Sequence, residues 1–350
     1  MPTKVKCLAS LEDGKFPVPS TVDRRDLRPD DVEIKILYCG ICHSDIHHVR
    51  GNWGADGYGY PVVPGHEIIG KVFRVGTEVS KFTVGDSVGV GCMVDSCQTC
   101  PTCNNDREQY CDSTTFTYGS LDRRDGSRSY GGYTEMIVVT EKFVLSIPDN
   151  LDLAAAAPLL CAGITTYSPL RRWGAHPGSK VGVVGLGGLG HMALKLAKAM
   201  GADVTLFSRS HGKAEDAKRL GANQFLISSD PEAMKAAAGQ FDLIIDTVPY
   251  KHDVNPYVMA LVPEGSLVLV GYFGPLEPPV NSAPLVLRSQ NLAGSLIGGI
   301  KETQEMLDFC GHHKIMSDIK VIDAQELNSA YESLLKGDVM QRFVIDITTL

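Results

Sequence analysis

The chain has 350 residues, of which 43% are apolar and 21% charged, and its formal net charge is −8. This length allows two domains with separate cores, and the negative charge argues against a nucleic acid or an anionic membrane as partner. No apolar run reaches the roughly 18 residues of a membrane span, and residues 1–10 lack the apolar core of a signal peptide. We therefore expect a cytoplasmic protein that acts on a small molecule, whose ten cysteines serve metal binding or catalysis and not disulfides.

The first half of the chain has the pattern of a β-rich domain. Short alternating or apolar runs at residues 32–36 and 71–90 are interrupted by Gly and Pro, as at residues 62–65. This punctuation predicts short strands joined by tight turns.

Beyond about residue 151 the pattern changes to short apolar strand candidates separated by helical segments. The strand candidates lie at residues 180–184, 203–207, 224–227, 241–246 and 266–270. Such alternation predicts right-handed crossovers and a doubly wound parallel sheet with helices on both faces. After about residue 290, amphipathic stretches at 301–310 and 325–335 precede an apolar strand at 342–347, and the pattern alone does not assign this tail to either domain.

Four cysteines lie close together within the predicted lobe 92–112. The spacing Cys97-x-x-Cys100-x-x-Cys103, followed after seven residues by Cys111, is typical of a tetrahedral zinc site. Because thiolates fill all four positions, we interpret this site as structural; unligated or disulfide-bonded cysteines are the alternative. A zinc knuckle for nucleic acid is disfavoured, since the segment carries four carboxylates and a lone Arg107.

Three more residues of metal-ligand type are dispersed along the chain. Cys42 lies in the run GICHSD, His66 in GHE and Cys161 in LCAG. Taken singly, a buried Cys is usually a small core residue and a lone His a satisfied polar group. Spacing alone does not bring these three residues together.

A glycine-rich turn follows the strand candidate at 180–184 and precedes a helix predicted over 191–200. In this context glycines let the backbone approach a pyrophosphate at the positive end of the helix. A tight turn without a ligand is the alternative. The residues predicted to bind a dinucleotide here are Gly185, Gly187, Gly188, Leu189 and Gly190.

The segment 206–213, at the end of the next strand, predicts which dinucleotide is bound. NAD sites usually place Asp or Glu about 20 residues after the glycine turn, and this segment contains no acid. Ser208, Arg209, Ser210 and Lys213 instead offer hydroxyl and cationic donors to a 2′-phosphate. The pattern favours NADP, with a solvated surface turn as the alternative.

Taken together, the motif Cys42-His43-Ser44-Asp45, the Gly65-His66-Glu67 motif, the lobe and the glycine turn resemble, in this order, zinc-containing medium-chain alcohol dehydrogenases. The runs at residues 167–170 and 294–298 are similar to the cinnamyl alcohol dehydrogenase type. This resemblance, which covers nearly the whole chain, implies an α/β fold. Its expected domains are a β-rich GroES-like catalytic domain, residues 1–152 and 291–350, and a doubly wound Rossmann cofactor domain, residues 153–290.

The resemblance also implies metal ligands. Cys42, His66 and Cys161 would bind a catalytic zinc with an open fourth position, so that the chain holds two zinc ions. Glu67 would be an alternative fourth ligand, a group that supports His66, or only a surface carboxylate. Arg342 resembles a residue near the cofactor phosphates.

Further roles are implied around the catalytic zinc. Asp45 resembles the carboxylate that accepts a hydrogen bond from the ligand histidine, and it is also a helix-cap candidate. Ser44 resembles the residue whose hydroxyl takes the substrate proton, and His47 the one that passes it to solvent, with His48 as the alternative relay. Trp53 resembles an aromatic wall of the substrate pocket, or else packs in the core.

The expected function is hydride transfer between NADP(H) and a primary alcohol or aldehyde, with aromatic or cinnamyl substrates in range, by a homodimer or homotetramer. A zinc-free quinone reductase of the same superfamily is one alternative, but it would lack both cysteine sets. A non-catalytic NADPH sensor is another. It would have no reason to combine the three zinc ligands with Ser44 and His47.

Overall fold

The computed structural model describes residues 3–52, 59–337 and 341–350. Two compact units make up the chain, one formed by Met1–Cys161 with Gly298–Leu350 and the other by Ala162–Ile297. In the described ranges the strands are β1 (Thr3–Ala9), β2 (Val18–Arg24), β3 (Asp31–Gly40), β4 (Ile68–Val75), β5 (Ser87–Val90), β6 (Met93–Asp95), β7 (Thr115–Phe116), β8 (Met136–Thr140), β9 (Leu145–Ser146), β10 (Lys180–Val184), β11 (Asp203–Ser208), β12 (Gln224–Ile227), β13 (Phe241–Asp246), β14 (Leu261–Leu269), β15 (Asn291–Gly294), β16 (Ile319–Asp323) and β17 (Arg342–Asp346).

Short helices alternate with these strands. The α-helices in the same ranges are α1 (His43–Val49), α2 (Pro101–Asn104), α3 (Leu153–Ala156), α4 (Ala162–Arg172), α5 (Gly188–Ala199), α6 (Ala214–Arg219), α7 (Pro231–Ala236), α8 (Asn255–Ala260), α9 (Ser282–Arg288), α10 (Ile300–His313) and α11 (Leu327–Lys336). Among the described residues no single helix is long and apolar enough to cross a membrane; the consecutive segments Leu153–Leu160 and Ala162–Arg172 meet the length and composition criteria only when taken together across a bend.

The first unit is built on a sheet with the strand order β16-β17-β3-β4-β5-β9, to which β8 adds by pairing with β3. All pairs are antiparallel except β16 with β17. The central strands carry β-branched residues that suit a pleated, buried surface, and Val32, Ile34, Ile68 and Ile69 are fully buried. The predicted run 71–90 forms two strands, β4 and β5, separated by a turn at Gly85, whose φ is +97°.

The second unit holds a six-stranded, fully parallel sheet in the order β12-β11-β10-β13-β14-β15. This is the dinucleotide-binding order, in which the chain reverses direction across the sheet between the first and fourth strands, here β10 and β13. Phe207, Ile244, Leu261 and Leu267 are fully buried in its core. The predicted α/β class, with a β-rich unit and a doubly wound unit, is confirmed.

The unit boundaries differ from the expected 152/153 and 290/291. Residues 153–160 pack on strands β3 and β4 of the first unit, and their side chains from Ala154 to Leu160 are buried there. At the other boundary, β15 is the last strand of the parallel sheet and keeps residues 291–294 in the second unit. The unassigned tail returns to the first unit because β17 pairs with β3.

Candidate active site and metal centres

Three sequence-distant ligands meet because β3 and β4 are antiparallel neighbours. Cys39 lies opposite Ile68, so that the residues just after β3 and just before β4 share one end of the sheet. Cys42 is the extended N-cap of α1, and His66 precedes β4. Cys161 follows the 3₁₀ turn Ala157–Leu160, which packs on both strands.

The distances between these ligand atoms fit zinc. Cys161 Sγ lies 3.9 Å from Cys42 Sγ and 3.3 Å from His66 Nε2. A tetrahedral zinc with bonds of about 2.0–2.3 Å separates its ligand atoms by roughly 3.3–3.8 Å. The hydrogen bond from Cys161 lowers the pKa of Cys42 even though burial opposes it, which favours the thiolate form that binds metal.

Glu67 belongs to the same group, since one of its oxygens lies within 4.8 Å of the ligand atoms of the other three. Its Oε1 accepts a hydrogen bond from the Arg342 guanidinium, whereas Oε2 is buried and has no partner among the described residues. A Cβ at Gly40 would come within 2.0 Å of that oxygen, so that only glycine leaves room for Glu67 here. The carboxylate is thus both tied to Arg342 and available to a metal.

Asp45 is fully buried, and its contacts support the ligands. Oδ2 accepts the Cys42 N–H at 2.8 Å and the Tyr133 hydroxyl at 3.0 Å. Oδ1 accepts the Tyr118 hydroxyl at 2.7 Å and lies 3.3 Å from His66 Nδ1. Asp45 therefore caps α1 and also holds Nδ1 of His66, which leaves Nε2 facing the cysteines.

The predicted proton relay residues lie on α1 beside this group. Ser44 Oγ is 3.5 Å from Cys42 Sγ. His47, one helical turn further on, is half-buried, and its Nδ1 lies 3.0 Å from the Asn52 amide nitrogen. Burial lowers the pKa of His47, and the nearby His43 lowers it further. A neutral imidazole is the form that accepts a proton.

His48, the alternative relay residue, is half-buried like His47, and its ring packs against another loop. Its ring meets the Tyr118 ring edge-on at a centroid distance of 4.9 Å. A Cβ added at Gly119 would lie 2.3 Å from His48 Nε2, so this edge of the ring is in close contact with Gly119. Which of the two histidines relays the proton stays a prediction.

The four lobe cysteines also converge, with all four Sγ atoms within 4.8 Å of one another. Cys103 Sγ lies 3.9 Å from that of Cys97 and 3.5 Å from that of Cys100. Backbone N–H groups point at the sulfurs, as in Cys100 N to Cys97 Sγ at 3.3 Å and Ser113 N to Cys111 Sγ at 3.4 Å. Hydrogen bonds from the Thr99 and Cys100 backbone lower the pKa of Cys97 to about 6.

The lobe is attached to the start of α10. The Ile300 N–H donates to Glu108 Oε2 at 3.2 Å, and Lys301 Nζ lies 3.1 Å from Asp106 Oδ2. The lobe thus connects two distant parts of the first unit, as expected of a structural site.

Two site residues carried no usable signal in the sequence. Cys92 belongs to the segment 92–112 in sequence, but its Sγ lies 4.0 Å from the carbonyl oxygen of Leu160, the residue before ligand Cys161. Tyr118 donates to Asp45, and its hydroxyl lies 3.2 Å from His66 Nδ1. A single Cys or Tyr has no diagnostic spacing, so only the fold reveals these contacts.

The glycine turn has the geometry that a pyrophosphate site requires. Gly185 has a φ of +87°, and a Cβ at Gly190 would lie 2.1 Å from the Gly185 carbonyl oxygen. A Cβ at Gly187 would meet nothing within 4 Å, so that the backbone is open there. Gly187 caps α5 without a side-chain hydrogen bond, which leaves the first N–H groups of Gly188, Leu189 and Gly190 for an anion.

Of the predicted 2′-phosphate residues, Lys213 lies nearest the glycine turn, with its Nζ 2.9 Å from the Leu186 carbonyl oxygen. Arg209 is exposed and donates to the Tyr250 hydroxyl at 2.9 Å, with its guanidinium 5.4 Å from the Tyr250 ring centroid. Ser208 Oγ donates to the Ser210 carbonyl at 3.2 Å. Lys213 therefore contacts the turn, Arg209 and Ser210 are exposed, and Ser208 is buried.

The remaining predicted site residues are Trp53 and Arg342. Trp53 lies outside the described residues. Arg342 is buried and forms an ion pair with Glu67, because β17 pairs with β3 beside the metal ligands; its expected place near the cofactor phosphates stays a prediction. The role that the structure supports for Arg342 is to balance the Glu67 charge.

The fold and both ligand sets define a two-domain, zinc-dependent dehydrogenase. Two family models match the chain, the alcohol dehydrogenase GroES-like domain over residues 28–149 and the zinc-binding dehydrogenase over residues 188–311. The chain belongs to the zinc-containing medium-chain alcohol dehydrogenases, of the cinnamyl alcohol dehydrogenase type, as the motifs predicted.

Individual proteins resemble it along nearly the full length. An NADP-dependent alcohol dehydrogenase from Mycolicibacterium smegmatis is 54% identical over 95% of this chain and 94% of its own. A cinnamyl alcohol dehydrogenase structure from Sorghum bicolor has a TM-score of 0.94 at 44% identity and covers 99% of this chain and 98% of its own. The corresponding structure from Helicobacter pylori, in complex with NADP(H), has a TM-score of 0.91 at 43% identity and covers 99% of both chains.

Proposed function

We propose that the protein is an NADP(H)-dependent zinc alcohol dehydrogenase and aldehyde reductase, which transfers hydride between the nicotinamide and the carbon of a primary alcohol or aldehyde. The observation that carries the proposal is the convergence of Cys42, His66 and Cys161, from three separate segments, at zinc-ligand distances. The relatives support the reaction class, since their names describe alcohol dehydrogenases that use NADP or bind NADP(H).

Cys42, His66 and Cys161 would hold a zinc that supplies a Lewis acid for the substrate oxygen, and the bound dinucleotide would supply or accept the hydride. Asp45 holds the His66 ring in the orientation that directs Nε2 to the ligand group. Arg342 offsets the charge of Glu67, so that this third acidic group beside the two thiolates has a counter-ion. The protein thus presents a fixed, largely buried set of ligands.

An alcohol loses a proton as well as a hydride, and the proton needs a route that does not admit bulk water. Ser44 lies beside Cys42, where its hydroxyl can accept the substrate's hydrogen bond, and His47 follows on the next turn of α1. Asn52 fixes the His47 ring at Nδ1. We assign Ser44 the proton transfer at the substrate and His47 the transfer to solvent.

NADP selectivity would come from Arg209, Lys213 and the hydroxyls of Ser208 and Ser210. Charged hydrogen bonds are worth about 1.5–3 kcal/mol each, so that two of them would favour NADPH over NADH by about 10²–10⁴ in kcat/KM. Arg209→Asp should lower NADPH efficiency and raise that of NADH, whereas Lys218→Asp on α6 makes the same charge change as a control. Equal efficiency with both cofactors in the wild type would contradict NADP selectivity.

The function itself is tested by NADPH oxidation with benzaldehyde, cinnamaldehyde and a quinone. We expect turnover of the aldehydes that depends on zinc and on Cys161. Turnover of the quinone alone, or aldehyde reduction that persists in Cys161→Ala, would favour the zinc-free reductase chemistry instead. We further propose that the enzyme is a cytoplasmic homodimer or homotetramer, which fractionation and light scattering would test.

A further inference from the structure

A buried arginine without a counter-ion lies beside a cavity in the first unit, away from the zinc ligands. Arg24, at the end of β2, is 7% exposed. Its guanidinium donates to the Tyr130 and Gly131 carbonyl oxygens at 2.6 and 2.7 Å and to Thr134 Oγ1 at 2.7 Å. All three acceptors are neutral, and Nε has no partner among the described residues.

No carboxylate among the described residues forms an ion pair with Arg24. Burial lowers the pKa of Arg24 to about 9, and the adjacent Cys7 offers no anion because burial raises the pKa of that thiol to about 11. Taking a guanidinium out of water is costly unless an anion accompanies it. An anion beside Arg24 would remove this imbalance.

The cavity that Arg24 lines has a volume of about 330 Å³. This is at the lower end of the range of small-molecule sites, which is about 300–1,000 Å³. Hydroxyl groups contribute much of the wall, among them those of Thr115, Thr117, Ser127 and Ser129. The space is therefore large enough for a small organic molecule, although the Thr115, Thr117 and Ser129 hydroxyls already donate to backbone carbonyl oxygens.

The charges on the wall favour an anion over a cation. Asp122 pairs with Arg28 at 2.9 Å, and Asp95 pairs with Arg124 at 3.4 Å, so that these carboxylates are already engaged. Arg128, which also lines the cavity, donates to the Tyr60 carbonyl oxygen and forms no ion pair with a described residue.

One carboxylate, that of Asp23, faces the cavity without an ion pair to the described residues. The two positive charges of Arg24 and Arg128 exceed the single negative charge of Asp23. The Asp23 carboxylate could accept a hydrogen bond from a hydroxyl group of the ligand. A guanidinium binds carboxylate and phosphate groups through paired hydrogen bonds.

We propose that this cavity binds a small oxyanion that carries a carboxylate or phosphate group, with Arg24 as the buried anchor and Arg128 as the second cation. The site lies outside the catalytic ligand group, and it does not depend on the proposed reaction.

The test is calorimetric titration of the zinc-loaded protein with inorganic phosphate or citrate at constant ionic strength. Saturating NADP⁺ is present so that the cofactor's own phosphate contacts are occupied. We expect saturable binding of at least one probe with one site per chain, and the tighter probe identifies the head group. Binding should weaken at least tenfold in Arg128→Gln and in Arg24→Lys. The lysine keeps the positive charge but lacks the paired N–H donors of the guanidinium.

Arg172→Gln, which removes an exposed arginine from the second unit, is the matched control and should bind as the wild type does. If Arg24→Lys does not fold, Arg128→Gln decides the question alone. Absence of saturable binding of both probes to the wild type, or unchanged binding in Arg128→Gln, would overturn the proposal.

Discussion

The two cysteine-containing ligand groups of the first unit are built in opposite ways. The lobe takes all its ligands from residues 97–111, and backbone N–H groups of the same segment point at the sulfurs. The catalytic group takes Cys42, His66 and Cys161 from three segments that the sheet brings together, and a buried carboxylate orients the imidazole. The lobe therefore depends on its metal for shape, whereas the sheet shapes the catalytic group.

This comparison predicts that losing a ligand has different consequences in the two groups. In the lobe the metal closes a short loop, so its binding free energy is also folding free energy. In the catalytic group, Cys161 is held by packing of residues 157–160 on β3 and β4, with or without metal.

The largest effect on turnover is expected for Cys161→Ala. Loss of the Lewis acid removes several kcal/mol of transition-state stabilisation, so kcat/KM should fall by about 10³-fold or more. The urea unfolding midpoint should change little, because the sheet register does not depend on Cys161. Ordinary activity in this variant, with one fewer zinc, would contradict the assignment of the catalytic site.

Ser44→Ala removes the hydroxyl beside Cys42 but no ligand. Turnover should slow by about 10²-fold, since general acid–base transfer typically contributes that much. NADPH affinity and zinc content should stay the same, and Ser44→Thr should recover activity. The measurement is kcat under conditions where the chemical step limits the rate; wild-type kcat in Ser44→Ala would exclude the relay.

Tyr118→Phe tests the support of His66. The hydroxyl donates to Asp45 and lies near His66 Nδ1, and partners of metal ligands typically contribute 10–100-fold to affinity or activity. We expect roughly tenfold weaker zinc binding at the catalytic group, seen by competition with a chelator. Tyr110→Phe, in the lobe segment, is the matched control and should leave that affinity unchanged.

Cys100→Ala should have the smallest effect on turnover per folded molecule. It leaves the lobe metal with three ligands, so we expect zinc to fall from two per chain to one and the unfolding midpoint to drop markedly. Metal analysis and urea unfolding measure both. If Cys100→Ala abolished turnover while its unfolding midpoint matched the wild type, the division between the two groups would be wrong.

The sequence predicted more of the second unit than of the first. Strands 180–184, 224–227 and 241–246 match β10, β12 and β13 at both ends. Parallel strands are buried on both faces and therefore form continuous apolar runs that are easy to delimit. In the first unit the run 71–90 was expected to be interrupted by Gly and Pro, and it forms β4 and β5, but the pattern did not delimit either strand. The pattern alone did not assign the tail either, because its pairing partner β3 lies some 300 residues earlier.

Among the site residues, a local motif was sufficient to predict a group when its ligands and the backbone groups that contact them lie in one segment. The sequence by itself determined the lobe and the glycine turn. A short, fixed spacing of cysteines is typical of a four-ligand metal site, and a short, fixed spacing of glycines is typical of a phosphate-binding turn. For Cys42, His66 and Cys161 it identified the residues only through the resemblance to a family.

Only the tertiary structure decided the contacts made across the sheet. It brought Cys92 next to Leu160 and Tyr118 to Asp45, paired Arg342 with Glu67, and buried Arg24 beside a cavity without an ion pair to any described residue. Each of these contacts joins residues far apart in the chain, and a single side chain has no periodicity or spacing to reveal its partner. Strand order and register, which depend on the packing of the whole unit, determine which of them meet.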